Sequence, residues 1–203
     1  IEVLDRVHVP HSLGFFYTAL CQFIGFEKFG EEYKVMGLAA YGQPVYLDLM
    51  RELLRMGDRR SKIEDGSARP PICHPPSPIF HLPSPICALH GQFRLNARYF
   101  RPLGRNLEEC VNERGEIELP PLYDRKLGDE LGAPRQRGTE LTTRDRDVAR
   151  SCQERFEEVV LHCLRGLHQR VAVENLVTAG GCALNGVCNS RILRDTPFRK
   201  SYI

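Results

Sequence analysis

The run Asn175-Leu176-Val177-Thr178-Ala179-Gly180-Gly181-Cys182-Ala183-Leu184-Asn185 reads as a buried strand, a glycine turn and the opening of a helix. That helix spans Cys182 to Leu193, and Phe198 to Ile203 reads as the next strand. Preceded by a helix, this is an α/β order. A strand that ends in glycines and opens a helix leaves backbone N–H groups free at a positive helix end, where phosphate binds readily. Gly180 and Gly181 carry no Cβ to hold a nucleotide off the backbone. Asn185 lies about one turn in, placed to hydrogen-bond a phosphate or ribose. A tight strand-to-helix turn with no ligand is the competing reading. The chain has no Gly-x-x-x-x-Gly-Lys, Gly-x-Gly-x-x-Gly or Gly-x-Ser-x-Gly.

Upstream, a long helix begins at Thr143, capped by Thr142 or Thr143, with Asp145 and Asp147 in its first turns. Val148, Cys152, Phe156, Val159, Val160, Cys163, Leu164, Leu167 and Val171 recur at steps of one, three and four, which makes a core-facing stripe. His162 and His168 read as solvated on a surface helix. Residues 101–142 read as loop, punctuated by Pro120-Pro121, Gly128, Gly132, Pro134 and Gly138.

Residues 1–10 read as a strand or extended lead-in that ends at Pro10. Ser12 caps a helix through Ile24, and Gly25 stops it. That helix is apolar nearly all round and is expected to be buried. Glu31 and Glu32 then start a second helix, and Gly42 with Pro44 stops it. Gly37 inside it costs about 1 kcal/mol against Ala, which points to a packing or ligand reason. Lys34 suits a phosphate and Glu32 a ribose or polar substrate. The competing reading is an exposed helical pair of opposite charge. Residues 45–56 read as an amphipathic helix with Leu49, Leu53 and Met56 on one side.

Residues 67–91 hold seven of the chain's 14 prolines and repeat Pro-Ser-Pro-Ile at 76–79 and 83–86. They read as a disordered or polyproline-like insertion. Its flanks, Lys62-Ile63-Glu64-Asp65-Gly66 and Gln92-Phe93-Arg94-Leu95-Asn96, read as the two strands of a hairpin.

The chain has 203 residues, with 28 Lys and Arg against 26 Asp and Glu. A net charge of +2 gives no electrostatic footprint for nucleic acid or an anionic membrane. No apolar run reaches the roughly 18 residues of a membrane span. The first residues lack the basic start and apolar core of a signal peptide. The eight cysteines include no Cys-x-x-Cys pair and read as buried free thiols, so a reducing, cytoplasmic setting is expected. Cys73, His74, His81, Cys87 and His90 follow no usual zinc spacing, and neither do His8 and His11. No metal site is expected in this chain.

Several segments together resemble one family. They are Pro10-His11-Ser12-Leu13-Gly14, Phe16-Tyr17, Gly25-Phe26 and the long run Glu32-Tyr33-Lys34-Val35-Met36-Gly37-Leu38-Ala39-Ala40-Tyr41-Gly42. Phe93-Arg94-Leu95-Asn96 with Tyr99-Phe100, and Gly180-Gly181-Cys182-Ala183-Leu184-Asn185 followed by Asn189, Arg191 and Leu193, complete the set. In this order they are similar to the nodulation-type O-carbamoyltransferases, over residues 1–66 and 92–203. Cys182 stands where that family more often has Val.

The resemblance implies a partial actin/Hsp70-like ATPase domain of ribonuclease-H-like α/β type, incomplete at both ends. It implies two parts of one N-terminal domain, 1–66 and 92–203, interrupted by 67–91. Members of that family take carbamoyl phosphate and ATP, form a carbamoyl adenylate, and pass the carbamoyl group to a hydroxyl of a small-molecule acceptor. By resemblance Gly180, Gly181 and Asn185 line the nucleotide, and Glu32, Lys34 and Gly37 border the same cleft. The family's Fe2+ is held by histidines upstream of Pro10, outside this chain, and a separate C-terminal domain makes the adenylate. The chain is therefore expected to be a fragment, inactive alone and with no convincing general base. A non-catalytic nucleotide-binding remnant of the same fold is the alternative. A threonylcarbamoyl-type tRNA modifier is disfavoured by the Lys34 run and by the lack of a basic stripe.

Overall fold

The computed structural model describes residues 3–7, 10–57, 93–101, 110–112, 114–115 and 117–203. Helix α1 (Leu13–Phe23) starts where Ser12 Oγ accepts from Phe15 N–H, as the cap residue requires. Phe16, Leu20 and Phe23 are fully buried, each contributing about 2–3 kcal/mol of apolar burial. Gly25 follows with φ of +79°. A side chain there would strike the Arg135 carbonyl, which a Cβ would approach to 2.8 Å. Arg135 closes this helix end: its N–H donates to Phe23 O and its Nε to Ile24 O.

Helix α2 (Glu32–Leu38) runs into a 3-10 turn at Ala39–Tyr41. Helix α3 (Leu47–Leu53) is shorter than the 45–56 helix expected from sequence. The chain turns extended at Leu54, and β1 (Leu54–Met56) follows. Met56 therefore sits in a strand and is exposed, while Met50 and Leu53 are the buried residues of α3. The cause is β2 (Phe93–Leu95), which pairs antiparallel with β1 in the register Leu54↔Leu95 and Met56↔Phe93. The returning strand was legible in the alternation of Phe93 and Leu95, both buried. Its expected partner at 62–66 and the Pro-rich 67–91 lie outside the described residues.

The loop expected over 101–142 contains α4 (Arg125–Leu131), capped by Asp124 accepting from Lys126 N–H. Only Leu127 and Leu131 of α4 are buried, too few apolar positions to register as a periodic run. Gln22, buried on α1, holds the chain just before it. It donates to Leu119 O and Pro120 O and accepts from Leu122 N–H.

Helix α5 (Thr143–Val171) is the spine, not a surface helix. Thr142 and Asp145 form a reciprocal capping box at its start. Helices α1, α2 and α3 all pack on it. Val148, Cys152, Phe156 and Val159 carry the stripe into the main core. Tyr17 meets Phe156 edge-on at 5.3 Å. His168 is half-buried, edge-on to Phe198 at 5.3 Å, while His162 is exposed.

The last part is a small βαβ unit: β3 (Asn175–Val177), α6 (Gly186–Asp195) and β4 (Lys200–Tyr202). β3 and β4 are parallel, with Leu176 opposite Ser201. Leu164, Leu176, Ile192 and Phe198 make a second apolar cluster beneath them. β3 is not the buried strand that its composition suggested, since Val177 is 75% exposed. The described architecture is mixed helix and strand, as an α/β chain requires.

Candidate functional site

The turn after β3 is built by two local features. Gly180 takes φ of +93°, which a residue with a Cβ adopts only under strain. Its carbonyl then accepts from Ala183 N–H at 2.9 Å, closing a 3-10 turn over Gly181–Leu184. Among the described residues the N–H groups of Gly180, Gly181 and Cys182 meet no hydrogen-bond acceptor. A Cβ at either glycine would find no atom within 4 Å, and Gly180, Gly181 and Cys182 are all exposed.

The single helix expected over Cys182–Leu193 is divided. Asn185 is extended, with φ of −73° and ψ of 91°, and caps α6. The 3-10 turn therefore lies before the α-helix. The open amides at Gly180–Cys182 belong to the turn, and within the first turn of α6 the Cys188 N–H is satisfied by the cap. Asn185 Oδ1 accepts from Cys188 N–H at 2.9 Å and from Gln153 Nε2 at 3.0 Å. Asn185 Nδ2 donates to Gln153 Oε1 at 2.9 Å. Thus the Asn185 amide faces α5, and its contribution to the turn is to fix where the turn sits. Asn189 adds a second tie, donating from Nδ2 to Ala183 O at 2.6 Å.

The Glu32–Lys34 ion pair, the competing reading of these two residues, is not formed. Residues two apart on a helix point to roughly opposite sides. Lys34 Nζ bonds Glu31 Oε1 at 2.6 Å and lies 5.4 Å from the Phe26 ring centre. The Glu31 carboxylate holds the ammonium above its ordinary pKa. Glu32 turns instead to α1, where Thr18 Oγ1 donates to its Oε1 at 2.7 Å. The same α1 face meets the glycine turn: a Cβ on Gly14 would lie 3.6 Å from Cys182 Sγ. The Cys182 thiol is raised above its ordinary value, first by loss of surrounding water and then by the Glu32 carboxylate. Glu32 therefore stands on the same side as the turn, and Lys34 on the other face of α2. Gly37 is exposed, with no atom within 4 Å of a built Cβ. No packing against the described residues explains it.

Sequence reading missed Thr18 and the polar group at the root of the turn. Tyr17 Oη donates to Gln153 Oε1 at 2.7 Å, and Gln153 Nε2 donates to Glu157 Oε1 at 2.7 Å. Arg191 of α6 bonds Glu157 Oε2 at 2.6 Å. Gln153 and Glu157 extend by steps of four and three into Leu161 and Leu164, so two polar residues in an apolar face were the available signal.

Among the described residues no three His, Cys, Asp or Glu side chains are grouped to hold a metal ion. The donor set needed for iron is therefore not formed by these residues, and no step below runs through it. Two surface depressions, at Phe23, Tyr123 and Pro134 and at Leu4, Cys163 and Arg170, include no residue of the turn. No helix among the described residues is long and apolar enough to cross a membrane.

The geometry can be set beside known proteins. The family model of the carbamoyltransferase N-terminus matches residues 2–203. An uncharacterized protein of Synechocystis sp. is 33% identical over 199 residues, covering 98% of this chain and 25% of that protein. The nodulation protein NolNO of Sinorhizobium fredii is 24% identical over 193 residues, covering 95% of this chain and 20% of that protein. The nodulation protein NolO of Bradyrhizobium diazoefficiens is 28% identical over 195 residues, covering 95% of this chain and 25% of that protein. The chain thus spans a quarter or less of these relatives.

Proposed function

The chain belongs to the carbamoyltransferase N-terminal family, and on that premise we propose that it forms the nucleotide-binding part of an ATP-dependent O-carbamoyltransferase with an actin-like ATPase fold. The observation that carries the reading is the open row of N–H groups at Gly180, Gly181 and Cys182. Backbone amides with no partner and no side chain in front of them suit phosphate oxygens. Gly180 and Gly181 take the phosphates of ATP. Glu32, on the same side and held by Thr18, borders the ribose or the carbamoyl donor. Gly37 leaves the nearby surface free for the ligand. Asn185 shapes the turn from beneath, while Lys34 is held by Glu31 on the other face of α2 and would reach a phosphate only by leaving that pair.

In the reaction proposed, water cleaves carbamoyl phosphate to carbamate and inorganic phosphate, and the carbamate oxygen then attacks the α-phosphorus of ATP, forming carbamoyl adenylate and releasing pyrophosphate. The hydroxyl oxygen of a small-molecule acceptor then attacks the carbamoyl carbon, releasing AMP and a proton. The adenylate is an activated mixed anhydride, so holding it against the acceptor supplies much of the rate. The scheme requires a C-terminal adenylate-forming domain as partner, acting on the ATP held at this turn, and both substrates suit a cytoplasmic setting.

The test uses the full-length protein that contains this chain. With ATP and carbamoyl phosphate it should release pyrophosphate. Gly180→Ala combined with Gly181→Val should weaken ATP binding at least about tenfold. Unchanged ATP binding in that variant overturns the reading. ATP binding without pyrophosphate release favours a nucleotide-binding remnant.

A further inference from the structure

We propose that Gln153 is a positioning residue for the nucleotide turn, acting through Asn185; this rests on the ATP reading above. The two side-chain amides lie face to face and exchange two hydrogen bonds, of 3.0 and 2.9 Å. The remaining capacity of Gln153 is filled as well. Its Oε1 accepts from Tyr17 Oη, and its Nε2 donates to Glu157 Oε1. Every donor and acceptor site of this amide is thus used, on a side chain only 1% exposed as a residue.

A fully satisfied buried network specifies one arrangement, because any other leaves a polar group unpaired in a dry interior. Here that arrangement joins three elements. Tyr17 comes from α1, Gln153 and Glu157 from α5, and Asn185 and Arg191 from the segment after the turn. Asn185 is the residue at which the 3-10 turn ends and α6 begins. Gln153 therefore sets the height of Gly180–Gly181 over α1, the helix that also carries Thr18 and its bond to Glu32. Misplacing the turn by about an ångström moves the amides off the phosphates while leaving the core packed.

The test uses the full-length protein, with ATP itself as the probe. Gln153→Met keeps the length of the side chain and removes all four hydrogen bonds. It should raise KM for ATP about tenfold, with kcat and KM for carbamoyl phosphate changed less than about twofold. Tyr17→Phe removes one hydroxyl from the same network and should raise KM for ATP about threefold. It carries the test if Gln153→Met does not fold. Val159→Ala, a core truncation on α5 outside the network, serves as the stability control. It should lower the melting temperature with KM for ATP unchanged. The inference is overturned if wild type binds ATP while Gln153→Met and Tyr17→Phe bind it equally well. It is also overturned if their losses match that of Val159→Ala at equal destabilisation. Failure of wild type to bind ATP overturns the ATP reading and this inference together.

Discussion

Arg155, in the middle of α5, donates to the Leu54 carbonyl twice, from Nε at 2.9 Å and from Nη2 at 2.6 Å. Leu54 is where α3 ends and β1 begins, so this fork caps a helix from another element. The guanidinium is 2% exposed as a residue and also bonds Glu158 through Nη1 at 2.6 Å. Arg155→Ala should cost about 1–3 kcal/mol, because it strands the buried Leu54 carbonyl, while Glu158 keeps its bond from Arg51 Nη2. Arg155→Lys should cost less, since an ammonium replaces part of the fork. Urea titration of the two variants checks the order; equal losses would show that the fork geometry is irrelevant.

Two glycines in one motif should respond with opposite sign. A Cβ on Gly42 would lie 2.0 Å from Arg146 O, on the backbone of α5. Gly42→Ala must push α5 from the Ala39–Tyr41 turn and should cost about 2–3 kcal/mol. A Cβ on Gly37 meets nothing within 4 Å, in a residue of α2. Gly37→Ala should stabilise by about 0.5–1 kcal/mol. If Gly37 also borders the nucleotide, the same variant weakens ATP binding while its melting temperature rises.

The α5 capping box should set part of the acid stability. Asp145 Oδ2 accepts from Thr142 N–H at 2.9 Å and from Thr142 Oγ1 at 2.8 Å. Burial raises its pKa, but these bonds and the Arg144 guanidinium outweigh burial and hold it below the ordinary 3.8. A depressed carboxylate stabilises above its unfolded pKa and loses that contribution as pH falls through the folded value. Asp145→Asn should therefore lower stability at pH 7 and flatten its loss below about pH 4. Chemical denaturation at pH 7 and pH 3 measures both effects, and parallel curves for variant and wild type would contradict them.

His11 should give the opposite end of the chain a dependence near neutrality. Its Nδ1 accepts from Leu95 N–H at 3.2 Å, so the bond needs the neutral ring. Burial first, and Arg94 second, lower its pKa below the ordinary 6.5. A lowered histidine stabilises above its unfolded pKa, and the contribution is lost as pH falls from there through the folded value. Melting temperature should drop between about pH 7.5 and pH 5, and His11→Ala should remove part of that slope. An unchanged slope in His11→Ala would assign it to other groups.

Spacing over short stretches determined much of this protein. Ser12, Thr142 with Asp145, and the one-three-four stripe of α5 were legible because caps and helical faces involve residues three or four apart. The glycine turn was legible for the same reason, since Gly180 solves a local backbone problem. The motif from Glu32 to Gly42 located the family, yet it left Lys34's partner open. Helical spacing favours Glu31, three residues before Lys34, over Glu32, two before it, but only the packing of α2 on α1 gives Glu32 to Thr18.

The tertiary structure alone decided where the polar groups behind the turn meet. Tyr17 and Gln153 are 136 residues apart, and Gln153 and Asn185 are 32 apart. No periodicity links such positions; three packed elements bring them together, and burial then compels them to bond one another. The same force broke the expected helix at Asn185, whose amide gains more from Gln153 and Cys188 than from continuing a helical turn. Local sequence specified each turn and cap, whereas the exclusion of water from α5 chose which of its polar side chains became partners.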